Sequence, residues 1–296
     1  MEILSGNSSA GSVSFDAQDA ENKFSRLSEL PSLPTILMDA LQQLEGQQDM
    51  VSLIDKIGRD PVLVARLLRI ANSSFYGMSR EIGSLREAIV VLGFNRVRDL
   101  LISICFSQML VSQQHHFDYT DFWHHSMAVA DCSRQLARST GFNPDVAFTA
   151  GLLHDIGQLV IVFLYPEEIV RQIFNTQTEG SFAKSHHEIT ENERKILTFD
   201  HTEIGSKAAL YWNFPEVIQQ AIEQHETAPL ADSTPSVGLL IYSANLLVIM
   251  ASSCADDSAV DINLRVALEI LAVPIGSALS LAEHARAFAD QVISAN

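Results

Sequence analysis

The stretch Ala147–Leu164, AFTAGLLHDIGQLVIVFL, decides how the rest of the 296-residue chain is read. An apolar run reaches His154-Asp155-Ile156-Gly157 and then stays apolar to Leu164. Such a run belongs in a core, where a carboxylate is costly unless it is paired or bound to a metal. His154 and Asp155 therefore mark either a buried polar pair kept for packing or a metal site.

The surrounding chain reads as helical. Apolar residues recur at helical spacing, strand-type alternation is rare, and no fixed-period repeat is visible. Residues 1–22 are rich in Ser, Gly, Asn and Asp and read as a disordered lead-in. Residues 23–112 read as a bundle of short helices with brief connections. Within it, Asp60-Pro61 and Ser84 with Glu87 are helix-start signals; Gly93 breaks one helix and Asn95 can cap the next.

The polar segment Gln113–Asp118 marks a boundary. Beyond it the spacing predicts a helix over Tyr119–Ser139 that carries His124 and His125, with further helices from Pro166, Thr202 and Pro215. Thr176–Glu193 reads as a polar, mobile loop. Val237–Ser252 reads as a buried apolar helix containing Asn245; it is shorter than the roughly 20 residues a membrane span needs. Two or three helices follow, broken at Pro274.

The formal net charge of −17 argues against broad binding to nucleic acid or to an anionic membrane. The two helices around Gly93 superficially resemble a helix-turn-helix, and the same charge opposes that reading. Between Val51 and Leu100, however, eight basic residues face five acidic ones. Solvated helix faces, Arg96 and Arg98 included, are the plain explanation; a patch for a nucleotide, a phosphate or an acidic partner is the other. Cys105, Cys132 and Cys254 form no CxxC pair, which fits a reducing cytoplasm. The N-terminus lacks the basic and apolar regions of a signal peptide.

Five features carry chemistry: His124-His125, His154-Asp155, His201, His225-Glu226 and Asn245. Imidazole nitrogen and carboxylate oxygen are ligands for divalent iron, manganese, zinc or magnesium, with imidazole favouring the transition metals. A helical bundle can direct such groups from several helices into one pocket. A metal there would acidify a bound water and make a nucleophile for phosphate esters. His115, His116, His124, His186, His187 and His284 read as surface or loop residues, and Trp123, Trp212 and Phe214 as core aromatics.

Seven segments, in order, resemble the HDOD family, the HD-related output domain of bacterial signalling proteins. They are LPSLPTILMDALQQL, IGRDPVLVARLLRIANSSFYG, SLREAIVVLGFNRVRDLL, FWHHSMAVA, AGLLHDIGQLV, DHTEIGSKAALYWNFP and IQQAIEQHE, and they span roughly Ser25–Pro229. The resemblance implies an all-α protein with an N-terminal bundle packed on an HD-type helical core. That core would cover 113–235, with 236–296 completing it. In the HD superfamily a His, a His-Asp pair and a distant Asp hold metal, and the branch that hydrolyses cyclic dinucleotides adds a His and a His-His pair.

Carried over, these positions fall on His125, on His154 and Asp155, on Asn245, on His201, and on His225-Glu226. Asp155 would be the residue on which any catalysis depends. Two positions depart from the pattern: Glu226 replaces a His and Asn245 replaces the distal Asp, and a neutral amide cannot serve as a carboxylate ligand or base. The Gly-Tyr-Pro signature of the cyclic-dinucleotide hydrolases is also absent. The resemblance thus implies a cytoplasmic output module acting through a signalling protein partner, with a partly degenerate metal pocket and a nucleotide or phosphate as a further ligand. The alternative is a metal-dependent phosphohydrolase acting on a nucleotide or other phosphoester.

Overall fold

The computed structural model describes residues 24–45, 50–73, 80–110, 117–174, 182–230, 232–252 and 261–294. The lead-in expected over 1–22, residues 113–116 of the polar boundary, and Cys254 lie outside them. All the regular structure among the described residues is helical.

A 3-10 turn at Ser25–Glu29 precedes α1 (Thr35–Gln42), α2 (Met50–Gly58), α3 (Pro61–Ala71), α4 (Leu85–Leu92) and α5 (Phe94–Met109). The Asp60 carboxylate accepts from the Val62 and Leu63 amides at the start of α3. Ser84 accepts from the Glu87 amide, and Glu87 reaches back to the Gly83 amide, which completes a capping box. The cap expected from Asn95 is not used. Helix α5 starts at Phe94 with Gly93 at the cap position, and the Asn95 amide instead donates to Asp145 at 2.6 Å. Already inside the first turn, Asn95 no longer occupies a capping position.

The later helices are α6 (Tyr119–Thr140), α7 (Pro144–Leu153), α8 (Ile156–Leu164), α9 (Glu167–Phe174), α10 (Phe182–Leu197), α11 (His201–Tyr211), α12 (Glu216–Gln224), α13 (Val237–Ser252), α14 (Ile262–Ile270) and α15 (Ile275–Ser294). Helix α6 is the hub, packed against α7, α13 and α15. Helix α5 packs on α7, the Trp212 indole donates to the Pro31 carbonyl at 3.0 Å, and Phe106 meets Trp212 and Phe214 edge-on. Early and late helices thus share one apolar core. The segment Pro144–Leu164 is long and apolar enough to cross a membrane, but 89% of its most apolar window is buried within the fold.

Two further expectations are corrected. The mobile loop over Thr176–Glu193 is largely helix α10; residues 176–181 of it lie outside the described residues. Ile189, Glu193 and Leu197 are buried four residues apart on one face. The middle position carries an acid, which hid the period from a hydrophobicity reading. Arg98 is buried, not solvated, and pairs with Asp99 at 3.0 Å; Arg96 is partly buried beside Asp131. Their acidic partners sit on the same helix and on α6, so burial leaves neither charge alone.

Candidate metal centre

The apolar run containing His154 and Asp155 is broken at these two residues. Helix α7 ends at Leu153 with His154 as its last cap, and Asp155 (φ −94°, ψ 12°) opens α8. On a continuous helix, side chains of adjacent residues diverge by about 100°. The two side chains nonetheless meet, with His154 Nε2 3.3 Å from Asp155 Oδ2. Asp155 occupies a helix-capping position, yet its side chain makes no cap bond. Its carboxylate turns to histidines instead.

Gly157 explains how a second helix comes within reach. A Cβ at this position would lie 1.9 Å from the His201 carbonyl oxygen and 3.0 Å from the Gly205 nitrogen. Helices α8 and α11 therefore touch backbone to backbone, which delivers His201 to Asp155. Helix α6 supplies His125, and the end of α12 supplies His225.

The histidine tautomers follow from their partners. His154 Nδ1 donates to the Gly151 carbonyl and His225 Nδ1 to the Ile222 carbonyl, both at 2.8 Å. His201 Nδ1 donates to Glu193 Oε2 at 2.7 Å. Each Nε2 is left with a lone pair. These lone pairs converge. His201 and His225 Nε2 lie 3.3 and 3.2 Å from Asp155 Oδ1 and 3.3 Å from each other, while His154 Nε2 lies 3.3 Å from Asp155 Oδ2.

Acceptors facing acceptors at this range repel unless a cation lies among them. Ligands about 2.1 Å from a metal are themselves roughly 3.0–3.4 Å apart, so the donor set fits a divalent ion. Two groups of three meet ligand spacing: His125, His154 and Asp155, and then Asp155, His201 and His225. All five are at most 4% exposed. Asp155 belongs to both groups and can bridge two ions.

The electrostatics agree. Burial would raise the Asp155 carboxyl, but His154, His225 and His201 hold it well below the usual range. Burial would lower His201, yet Glu193 first and Asp155 second raise it to about 10.

A model of the HDOD domain matches residues 30–228. This chain belongs to the HDOD family. A solved HDOD domain protein of unknown function from Geobacter sulfurreducens is 22% identical with a TM-score of 0.71, covering 93% of this chain and 99% of that one. A protein provisionally called a phosphohydrolase, from Shewanella amazonensis SB2B, is 25% identical with a TM-score of 0.70, over 91% of this chain and 97% of that one. Among curated proteins, an uncharacterized Treponema pallidum (strain Nichols) protein is 28% identical over 185 residues, 62% of this chain; the match spans 34% of that protein's length.

The two positions where this HDOD chain departs from the HD pattern sit together. Asn245 Nδ2 donates to Glu226 Oε1 at 3.2 Å, and that oxygen lies 3.9 Å from His225 Nε2. Asn245 is buried, and its Oδ1 accepts no hydrogen bond. A cavity of 180 Å³ opens onto His125, lined also by Asp121, His124, Val248, Ser252 and Arg286. His124 itself turns from the cage to Asp290, at 2.7 Å.

Glu193 is the participant that sequence reasoning missed. It is fully buried and accepts from both the His201 ring and the His201 backbone amide, at 2.7 and 2.9 Å. It sits in the stretch read as a loop, and only its eight-residue distance from His201, two helical turns and a bend, hints at the contact.

Proposed function

We propose that this chain is a metal-holding HDOD signalling module. His125, His154, Asp155, His201 and His225 hold one or two divalent transition-metal ions, with Glu226 and Asn245 at the margin. The loaded module acts by engaging a signalling protein partner. One observation carries the metal reading: three imidazoles are committed through Nδ1 to fixed acceptors, so three lone pairs and a carboxylate face one point. Imidazole-rich donor sets favour iron, manganese or zinc over magnesium. The partner reading rests on the incomplete ligand set, in which an amide and Glu226 replace an Asp and a His.

Metal content by mass spectrometry tests the first part, on untagged protein purified without chelator, beside a His154→Ala/Asp155→Ala control. The expected result is about one or two transition-metal ions per chain, lost in the control. No metal in either sample would leave the five residues as a buried polar core.

The second reading is a phosphohydrolase, and Asp155 shared between two ligand groups favours it. Two ions bridged by one carboxylate can hold a phosphoester and activate water. Turnover on a phosphoester panel that disappears in Asp155→Ala would overturn the output-module reading in its favour.

A further inference from the structure

A groove of 480 Å³ lies where α4 and α5 meet α6 and α7. Three arginines reach it from two helices: Arg96 from α5, and Arg134 and Arg138 from α6. Arg134 is 1% exposed and locked in place. Its Nη2 donates to Asp99, its guanidinium carbon lies 3.8 Å from the Phe148 ring centroid, and its Nη1 donates to nothing. A buried guanidinium with an idle N–H group is an unfilled donor. Arg138 is exposed at the rim, and Arg96 makes a long 3.4 Å contact to Asp131 and lies 6.0 Å from the Phe288 ring centroid.

The N-terminus of the 16-residue helix α5 opens on the same groove. Its cap, Gly93, offers no side chain to the first-turn amides and has φ +84° and ψ 153°. A Cβ at Gly93 would meet nothing within 4 Å, so the space before these amides is open. Free amides and a helix dipole favour an anion.

The acids nearby are already engaged. Asp99 is shared by Arg98 and Arg134, while Asp145 takes the Asn95 amide and lies 3.7 Å from Arg98. Burial pushes the Asp99 carboxyl up to about 7 against the pull of Arg98. Arginines 96, 98, 134 and 138 against aspartates 99, 131 and 145 leave a local positive excess in a chain of net charge −17.

We infer that this groove binds a phosphate-bearing small molecule of nucleotide size. Its phosphate would sit at the start of α5 among Arg96, Arg134 and Arg138, and its organic part would lie against Leu92 and Phe94. The volume falls within the ordinary range for small-molecule sites, about 300–1,000 Å³. Bidentate arginine recognition supplies the specificity for phosphate. This site is separate from the metal cage: along α6, Arg134 and Arg138 lie about 14 and 20 Å beyond His125. The inference does not depend on the metal reading.

The test is titration calorimetry on the full chain after chelator treatment, with inorganic phosphate, AMP and GMP as probes. The proteins are wild type, Arg138→Glu, Arg96→Glu and His154→Ala/Asp155→Ala. At least one nucleotide should bind more tightly than inorganic phosphate. Affinity should fall roughly tenfold or more in each arginine variant, the loss of a charge-assisted contact, and hold in the cage variant. Arg138→Gln, at an exposed position, keeps the test valid if charge reversal impairs folding. Three results would each overturn the inference: no binding of any probe, affinity lost in the cage variant but kept in the arginine variants, or inorganic phosphate binding as tightly as the nucleotides.

Discussion

The cage around Asp155 and the groove beside Gly93 share two helices and have opposite chemistry. Helix α6 carries His125 at one centre and Arg134 at the other, and α7 has Asp145 in its first turn and His154 as its cap at the far end. In the cage, acceptors face acceptors. In the groove, donors lack partners: Arg134 Nη1 is buried without an acceptor, and Gly93 offers no side chain to the first amides of α5. Each centre calls for a counter-ion, a cation in one and an anion in the other. Each also depends on one glycine, for different reasons. Gly157 has no room for a Cβ, whereas Gly93 has the room but a backbone conformation that is essentially confined to glycine.

The largest expected effect follows from Gly157. Alanine there places a carbon 1.9 Å from a backbone oxygen, and no side-chain rotation relieves it. Gly157→Ala should cost about 3 kcal/mol or more, as α8 and α11 separate. A thermal melt beside metal analysis would show lowered stability together with lost metal, because His201 leaves Asp155. A variant that melts like wild type and keeps its metal would mean that the α8–α11 contact does not hold the cage together.

Metal removal should come next. An ion that binds only the folded chain adds about 2.7 kcal/mol when present at 100 times its dissociation constant. Chelation should therefore lower the melting temperature by several degrees, with recovery when manganese or zinc is returned. Arg138→Glu should show the same drop, since the groove lies apart from the cage. An unchanged melt after chelation would indicate that the cage adds no stability through a bound ion.

Glu193→Gln sharpens the same contrast at lower cost. The carboxylate fixes the His201 tautomer and strengthens that ring as a ligand. The amide can still accept, but without charge, so metal affinity should weaken roughly tenfold to hundredfold. Competition with a chromogenic chelator would measure it. An unaltered affinity would reduce Glu193 to a packing role.

The two centres also differed in how far they could be read from sequence. His154 and Asp155 were legible because they interrupt an apolar run, where a titratable group is conspicuous, whereas His125, His201 and His225 were placed by the resemblance to the HD pattern. Helix α10 was not legible, because its buried Glu193 replaces the apolar residue that would have marked the period. The groove was half-visible as a mildly basic stretch. Arg98 and Arg134 have the composition of solvated residues, and only the packing of α5 on α6 and α7 reveals them as buried. Gly157 stands in the sequence as the last residue of a His-Asp-Ile-Gly motif, but its reason lies in α11, more than forty residues away.

Gly93→Ala is the smallest perturbation and separates the two centres most cleanly. Since nothing lies within 4 Å of the added carbon, the cost is only that of forcing a non-glycine residue to φ +84° and ψ 153°, about 1–2 kcal/mol. The relaxed backbone would turn the first amides of α5 away from the groove, while α7, α8 and the cage stay as they are. Nucleotide affinity should therefore fall while metal content and chelator sensitivity hold. If metal affinity fell in parallel, the start of α5 and the cage would be coupled through α7, and the picture of two separate centres would give way to one linked device.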